Sequence, residues 1–99
     1  LSDLDLTGAN LENADLYSAI IYGTILKNAN LNRAYLGAVE ISGGANLENA
    51  NLNGVCLKYA QILDGARFKG ALMNNCDLEG TTFDNVKDLP SEVKTAINK

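Results

Sequence analysis

The stretch ISGGANLENANLNG, Ile41–Gly54, nearly repeats itself. ANLEN at residues 45–49 is followed five residues on by ANLNG at 50–54, and VEISG at 39–43 has the same outline. Between Gly43 and Ala45 stands one residue too many, Gly44. The place of that glycine in the whole chain decides the fold.

Working outward, each five-residue unit has a large apolar residue at its centre, position i. These are Leu6, Leu11, Leu16, Ile21, Leu26, Leu31, Leu36 and Ile41, then Leu47, Leu52, Leu57 and Ile62 after Gly44. After a second extra glycine, Gly65, they are Phe68, Met73, Leu78 and Phe83. Residues 4–85 are thus 82 positions, sixteen fives plus two glycines. Two places upstream, at i−2, stands a small residue, mostly Ala, with Leu4 the large exception. Two of every five side chains therefore seek burial, one large and one small. Neither the 3.6 period of a helix nor the 2 period of a strand fits. A self-similar chain of this kind stacks its units into a solenoid.

Sorting the central residues by every fourth unit puts all the isoleucines in one column: Ile21, Ile41 and Ile62, with Phe83. A four-sided coil would place these like shapes above one another, whereas a three-sided one would scatter them. At a strand spacing of about 4.8 Å, four coils stand roughly 19 Å tall. Gly44 and Gly65 each follow a complete coil, at the corner between the fourth side and the first. Glycine there supplies a bulged backbone that other residues resist.

The units ANLEN, ADLYS, ANLNR and CDLEG resemble the A(D/N)LXX units of the pentapeptide repeat family, over about four fifths of the chain. The resemblance implies an all-β fold, a right-handed quadrilateral parallel β-helix of about four coils. We expect that solenoid over residues 1–87 and a short C-terminal capping helix over 88–99. Pro90 suits a first turn, with Asp88 or Leu89 leading in. Leu89, Val93, Ala96 and Ile97 make one apolar face to lie across the last coil. The N-terminus has no such cap, and Leu1 is already in register as a central residue. That leaves a removed upstream cap, cover by a partner or a second copy, or a frayed first coil.

Composition bears on function mainly by exclusion. The 99 residues include no His and carry 12 acidic against 8 basic side chains. That balance argues against direct nucleic-acid binding and against an anionic membrane surface. No apolar run approaches the ~18 residues of a spanning helix. Without His, and with a core filled by side chains, no catalytic, cofactor-binding or metal residues are expected. Cys56 at i−1 should face outward and Cys76 at i−2 inward, so a disulfide between them is not expected. Asn10, Asn30 and Asn51 stack at i−1 on the second side, where an amide ladder is expected. Thr7, Lys27, Glu48 and Lys69 form an i+1 column whose alternating signs suggest mutual compensation.

One surface feature departs from the pattern. Ile20 and Ile25 occupy i−1 positions where Asp or Asn is usual, Tyr17 and Tyr22 are nearby at i+1, and Tyr35 is another i−1 aromatic. This is a candidate contact patch, or a surface covered by a missing N-terminal segment. The expected role is a non-catalytic structural or interaction module with protein partners, including self-association through the uncapped first coil. The resemblance also implies an alternative, a DNA-mimicking inhibitor or protector of DNA gyrase. The charge opposes it: the sixteen units carry nine acidic and five basic residues, whereas ~19 Å of duplex would carry about 11 charges. The expected location is soluble, in the cytoplasm or, as the resemblance allows for an N-terminally processed chain, the thylakoid lumen.

Overall fold

The computed structural model describes residues 1–97, with the side chain of Ile97 excluded. The chain winds into a right-handed, four-sided parallel β-helix followed by one short helix. On the fourth side lie β1 (Ile20–Tyr22), β2 (Glu40–Ser42), β3 (Gln61–Ile62) and β4 (Thr82–Phe83), paired in that order and all parallel. Their register places Ile21 on Ile41, Ile41 on Ile62 and Ile62 on Phe83. The other three sides are held by single bridges at i−1. They run Asp5–Ile25–Asn46–Arg67–Lys87, Asn10–Asn30–Asn51–Leu72 and Asp15–Tyr35–Cys56–Asp77. Central residues and small i−2 residues fill the interior, and the molecule measures 35 × 25 × 24 Å.

The backbone N–H groups explain the unit. Take the unit centred on Leu31. The Leu31 N–H donates to the Asn51 carbonyl one coil on, at 2.8 Å, and the Asn30 N–H donates to Ala9 one coil back, at 2.9 Å. The Arg33 N–H donates to Asn53, at 2.8 Å, and the Ala34 N–H closes a turn onto Leu31, at 2.9 Å. Only the i+1 N–H, that of Asn32, has no backbone acceptor in this scheme. Asn30 Oδ1 takes it at 3.0 Å. Asp5, Asn10, Asp15, Asn46, Asn51 and Asp77 do the same for their own units. This is the physical reason for Asp or Asn at i−1: a local Asx bond that completes the turn. The expected amide ladder is therefore not how Asn10, Asn30 and Asn51 are used. Their oxygens bond within their own units.

The fourth side differs. There the strand runs one residue further, and the i+1 N–H joins the ladder: Leu63 donates to Ile41 at 2.8 Å and Asp84 to Ile62 at 2.9 Å. No Asx acceptor is required, and the i−1 residues on this side are Ile20, Glu40, Gln61 and Thr82. The longer strand shifts the corner. In coils two and three it closes through Ser42–Ala45 and Leu63–Ala66, with bonds of 3.2 and 3.3 Å. Both central residues of each turn are left-handed: Gly43 (φ 65°) with Gly44 (φ 74°), and Asp64 (φ 53°) with Gly65 (φ 80°). That is the φ signature of a type I′ turn, for which Gly-Gly and Asp-Gly are preferred pairs. The two extra glycines are thus the second half of a tight turn. A Cβ on either would meet nothing within 4 Å, so conformation rather than space demands glycine.

A left-handed residue also closes every unit at i+2. Ten are not glycine, with φ from 53° to 62°, and Gly8, Gly23, Gly43, Gly54, Gly70 and Gly80 supply the other six. Asn13, Asn28, Asn49, Asp64, Asn75 and Asn85 tolerate this conformation, whereas Ser18, Arg33, Ala38 and Tyr59 are strained by it.

The two ends are unlike. At the C-terminal end the repeat persists to Val86 and Lys87, and breaks where Asp88, left-handed and exposed, takes a central position. The helix α1 spans Ser91–Ile97, and the Pro90 carbonyl accepts from both Val93 and Lys94, so Pro90 leads in. Val93 is buried and Leu89 half-buried against the core, but Ala96 is exposed and does not share the expected apolar face. The expected helix residues 98 and 99, and the side chain of Ile97, lie outside the described residues. At the N-terminal end Leu6, Leu11 and Leu16 are only half-buried, whereas Leu26, Leu31 and Leu36 directly below are fully buried.

The left-handed positions give paired, opposite predictions. Ala38→Gly should raise stability by about 1 kcal/mol, and Gly44→Ala should lower it by about 1–2 kcal/mol. Urea unfolding of both variants checks this; an Ala38→Gly protein no more stable than the parent would contradict the turn assignment.

Candidate interaction surface

The outward positions of this fold alternate with core positions, so exposure follows directly from register. On β1, buried Ile21 is flanked by Ile20 and Tyr22, which both point outward. Tyr17 and Tyr35 lie on the third side in successive coils, and their rings stack with centroids 5.5 Å apart and planes at 24°. Ile25 lies round the corner on the first side, bridged to Asp5 and Asn46. All five are exposed, from 38% for Ile25 to 58% for Tyr17. Tyr17 and Tyr35 are brought into contact, Ile20 and Tyr22 share one strand, and Ile25 is set apart by the Gly23–Thr24 corner.

Glycines seat these rings. A Cβ on Gly37 would come within 2.8 Å of the Tyr35 ring, and one on Gly43 within 2.7 Å of the Tyr22 ring. Tyr35 and Tyr22 therefore lie down on the backbone, presenting a flat face to solvent. Tyr59 is held likewise over Gly80, away from the others. Beyond the five, Leu1 and Leu4 are exposed on the first coil and Leu72 on the second side. Leu1 and Leu4 follow the core pattern in sequence.

Charged groups are distributed differently from the expected column. Lys27, Glu48 and Lys69 line a shallow hollow of about 200 Å³ with Asn49, yet form no ion pair among the described residues. The ion pairs are Arg33 with Glu12, at 3.0 Å, and Lys58 with Asp77 and Glu79, at 3.7 and 3.6 Å. All are exposed and contribute little. Hydrogen bonds from the Thr7 hydroxyl and backbone N–H hold the Asp5 carboxyl below its ordinary range. Among the described residues no group of three or more His, Cys, Asp or Glu side chains could hold a metal ion. No described helix is long and apolar enough to cross a membrane.

The family model for pentapeptide repeats matches eight copies, over residues 1–36 and 62–87. This chain belongs to the pentapeptide repeat family. No curated protein matches. Among solved structures it is similar to HetL of the cyanobacterium Nostoc sp., a pentapeptide repeat protein involved in heterocyst differentiation regulation. The identity is 23% and the TM-score 0.48, with 83% of this chain and 46% of HetL covered. The chain thus spans less than half the length of HetL. A pentapeptide repeat protein of the Arabidopsis thaliana thylakoid lumen is 25% identical, with a TM-score of 0.46, covering 98% of this chain and 72% of that one. Rfr23 of the cyanobacterium Cyanothece is 22% identical, with a TM-score of 0.36, covering 86% and 84%.

Both cysteines of this pentapeptide repeat chain are free thiols, and both are half-buried. Cys76 occupies an i−2 place, its Sγ–H donating to the Leu52 carbonyl at 3.2 Å, and burial pushes its pKa up to about 11. At pH 8 about one Cys76 in a thousand is thiolate, the reactive form. An alkylating reagent at that pH should therefore modify Cys56 before Cys76, with Cys76 reacting only as the protein unfolds. Peptide mapping after timed quenching reads this, and equal rates in the native protein would overturn the inward placement of Cys76.

Proposed function

We propose that this chain is a non-catalytic protein-interaction module that engages its partner through its first two coils. The observation that carries the reading is the distribution of exposed large apolar residues. Tyr17, Ile20, Tyr22, Ile25 and Tyr35 fall within nineteen residues on adjoining sides of the first two coils, whereas Tyr59 and Leu72 stand apart from them. Tyrosines suit an interface because each brings a large contact area with few side-chain torsions to be fixed on binding. Three sides of two successive coils contribute, so a partner meets a rigid convex corner rather than a cleft.

No observation favours DNA mimicry. A duplex 35 Å long, the length of this molecule, would carry about 20 charges. The net charge here is −4.

Tyr22→Asp tests the lateral surface. Tyr22 is half exposed, so the variant should fold with an unchanged circular dichroism spectrum. In pull-downs from the native host it should recover at least tenfold less of a partner that the parent enriches, the loss expected at the centre of an interface. Equal recovery would remove this surface from the interaction.

A further inference from the structure

The first side of the β-helix holds its basic side chains in an unusual way. Six Lys and Arg residues fall between residues 1 and 87. Two of them, Arg33 on the second side and Lys58 on the third, are engaged in ion pairs. The other four, Lys27, Arg67, Lys69 and Lys87, all stand on the first side. All four are exposed, and none forms an ion pair among the described residues. Lys27 and Lys69 are at i+1, two coils apart. Arg67 and Lys87 are at i−1 on neighbouring rungs, bridged directly to each other. Like charges opposed on adjacent strands are destabilising, and an anion laid over them removes that penalty. From the second coil onward the acids on this side are Glu48, between Lys27 and Lys69, and Asp88, next to Lys87. Four bases against two acids make the side positive, on a chain whose net charge is −4.

Relief and size choose the occupant. The hollow of about 200 Å³ opens on this side, with Lys27, Glu48, Asn49 and Lys69 in its walls. From Lys27 to Lys87 is three rungs, about 14 Å, which an extended peptide covers with roughly five residues. A single strand can therefore follow the side without leaving it. A nucleic acid or a membrane presents its charge over a wider front. It would also meet Asp64, exposed at the corner leading onto this side, and Asp84 beyond it, and like charges opposed across an interface suppress association. Ile25 heads the same i−1 column, above Asn46 and Arg67. A partner seated on the apolar surface can thus continue from Ile25 onto the basic groups.

We infer that the first side, through Lys27, Arg67, Lys69 and Lys87, docks an acidic extended segment of the partner protein. This rests on the interaction reading above and adds the chemistry of the partner. The probes are two short blocked peptides, one alternating threonine with glutamate and the other threonine with lysine. Each is titrated into the isotope-labelled whole chain, and amide shifts are followed by NMR. The glutamate peptide should shift the amides of Lys27, Glu48, Arg67, Lys69 and Lys87, and the lysine peptide should not. Replacing Arg67 and Lys69 together by Gln should weaken its binding about fivefold, and added salt should weaken it further. Glu48→Gln removes the carboxylate from the hollow and should tighten binding about twofold. The substituted side chains make no hydrogen bond or ion pair among the described residues, so circular dichroism spectra should match the parent. Shifts confined to other sides, equal binding of the two peptides, or an affinity indifferent to R67Q/K69Q would overturn the inference. So would weaker or unchanged binding in E48Q. Tighter binding of a single-stranded oligonucleotide or of anionic vesicles than of the glutamate peptide would overturn it too, in favour of that surface. Should the peptide fail while Tyr22→Asp still loses its partner, the lateral surface stands and only this assignment is lost.

Discussion

Every unit of this molecule turns on one left-handed residue at i+2. That conformation folds the chain through a corner in two central residues and returns it, five residues later, to the same depth in the coil. Four such corners make a square; stacking the squares gives the N–H groups at i−1, i and i+2 a carbonyl in a neighbouring coil, and the next N–H closes its own turn. The remaining backbone donor, at i+1, is what the Asp or Asn at i−1 satisfies. Where the fourth side lengthens by a residue, its ladder takes over that donor, the Asx acceptor disappears from the sequence, and Gly-Gly or Asp-Gly closes the wider corner. The repeat and its two interruptions are consequences of the same hydrogen-bond requirement.

A body built this way has little freedom to hinge. The core is continuous, the side chains on its faces are fixed by register, and rings such as Tyr22 and Tyr35 rest on glycines. At the C-terminal end α1 packs on the core through Val93. The exposed tyrosines and isoleucines Tyr17, Ile20, Tyr22, Ile25 and Tyr35 lie away from it, in the first two coils.

Much of the fold was legible in the sequence because burial leaves a periodic trace. The central positions, the isoleucine column and the place of Gly44 and Gly65 all follow from counting, and the register of β1 to β4 agrees. The choice of hydrogen-bond partner was less legible. Asn10, Asn30 and Asn51 are compatible in sequence with a ladder or with local turns, and only the backbone path shows that the local N–H is nearer. The i+2 signal was present, in twelve positions that are Gly, Asn or Asp, but Arg33, Ala38, Tyr59 and Ser18 obscured it. The column of Lys27, Glu48 and Lys69 reads as compensating, yet these side chains form no ion pair among the described residues. Of the surface, exposure at Tyr17, Ile20, Tyr22, Ile25 and Tyr35 was readable from register.

The central claim is that a left-handed residue closes each unit whatever its side chain. Backbone couplings between the amide and α protons, with Cα and Cβ shifts, report φ in solution for Arg33, Ala38 and Tyr59, the residues least suited to it. The account predicts positive φ at all three. Negative φ at any of them, in a protein that retains its parallel ladder, would contradict it.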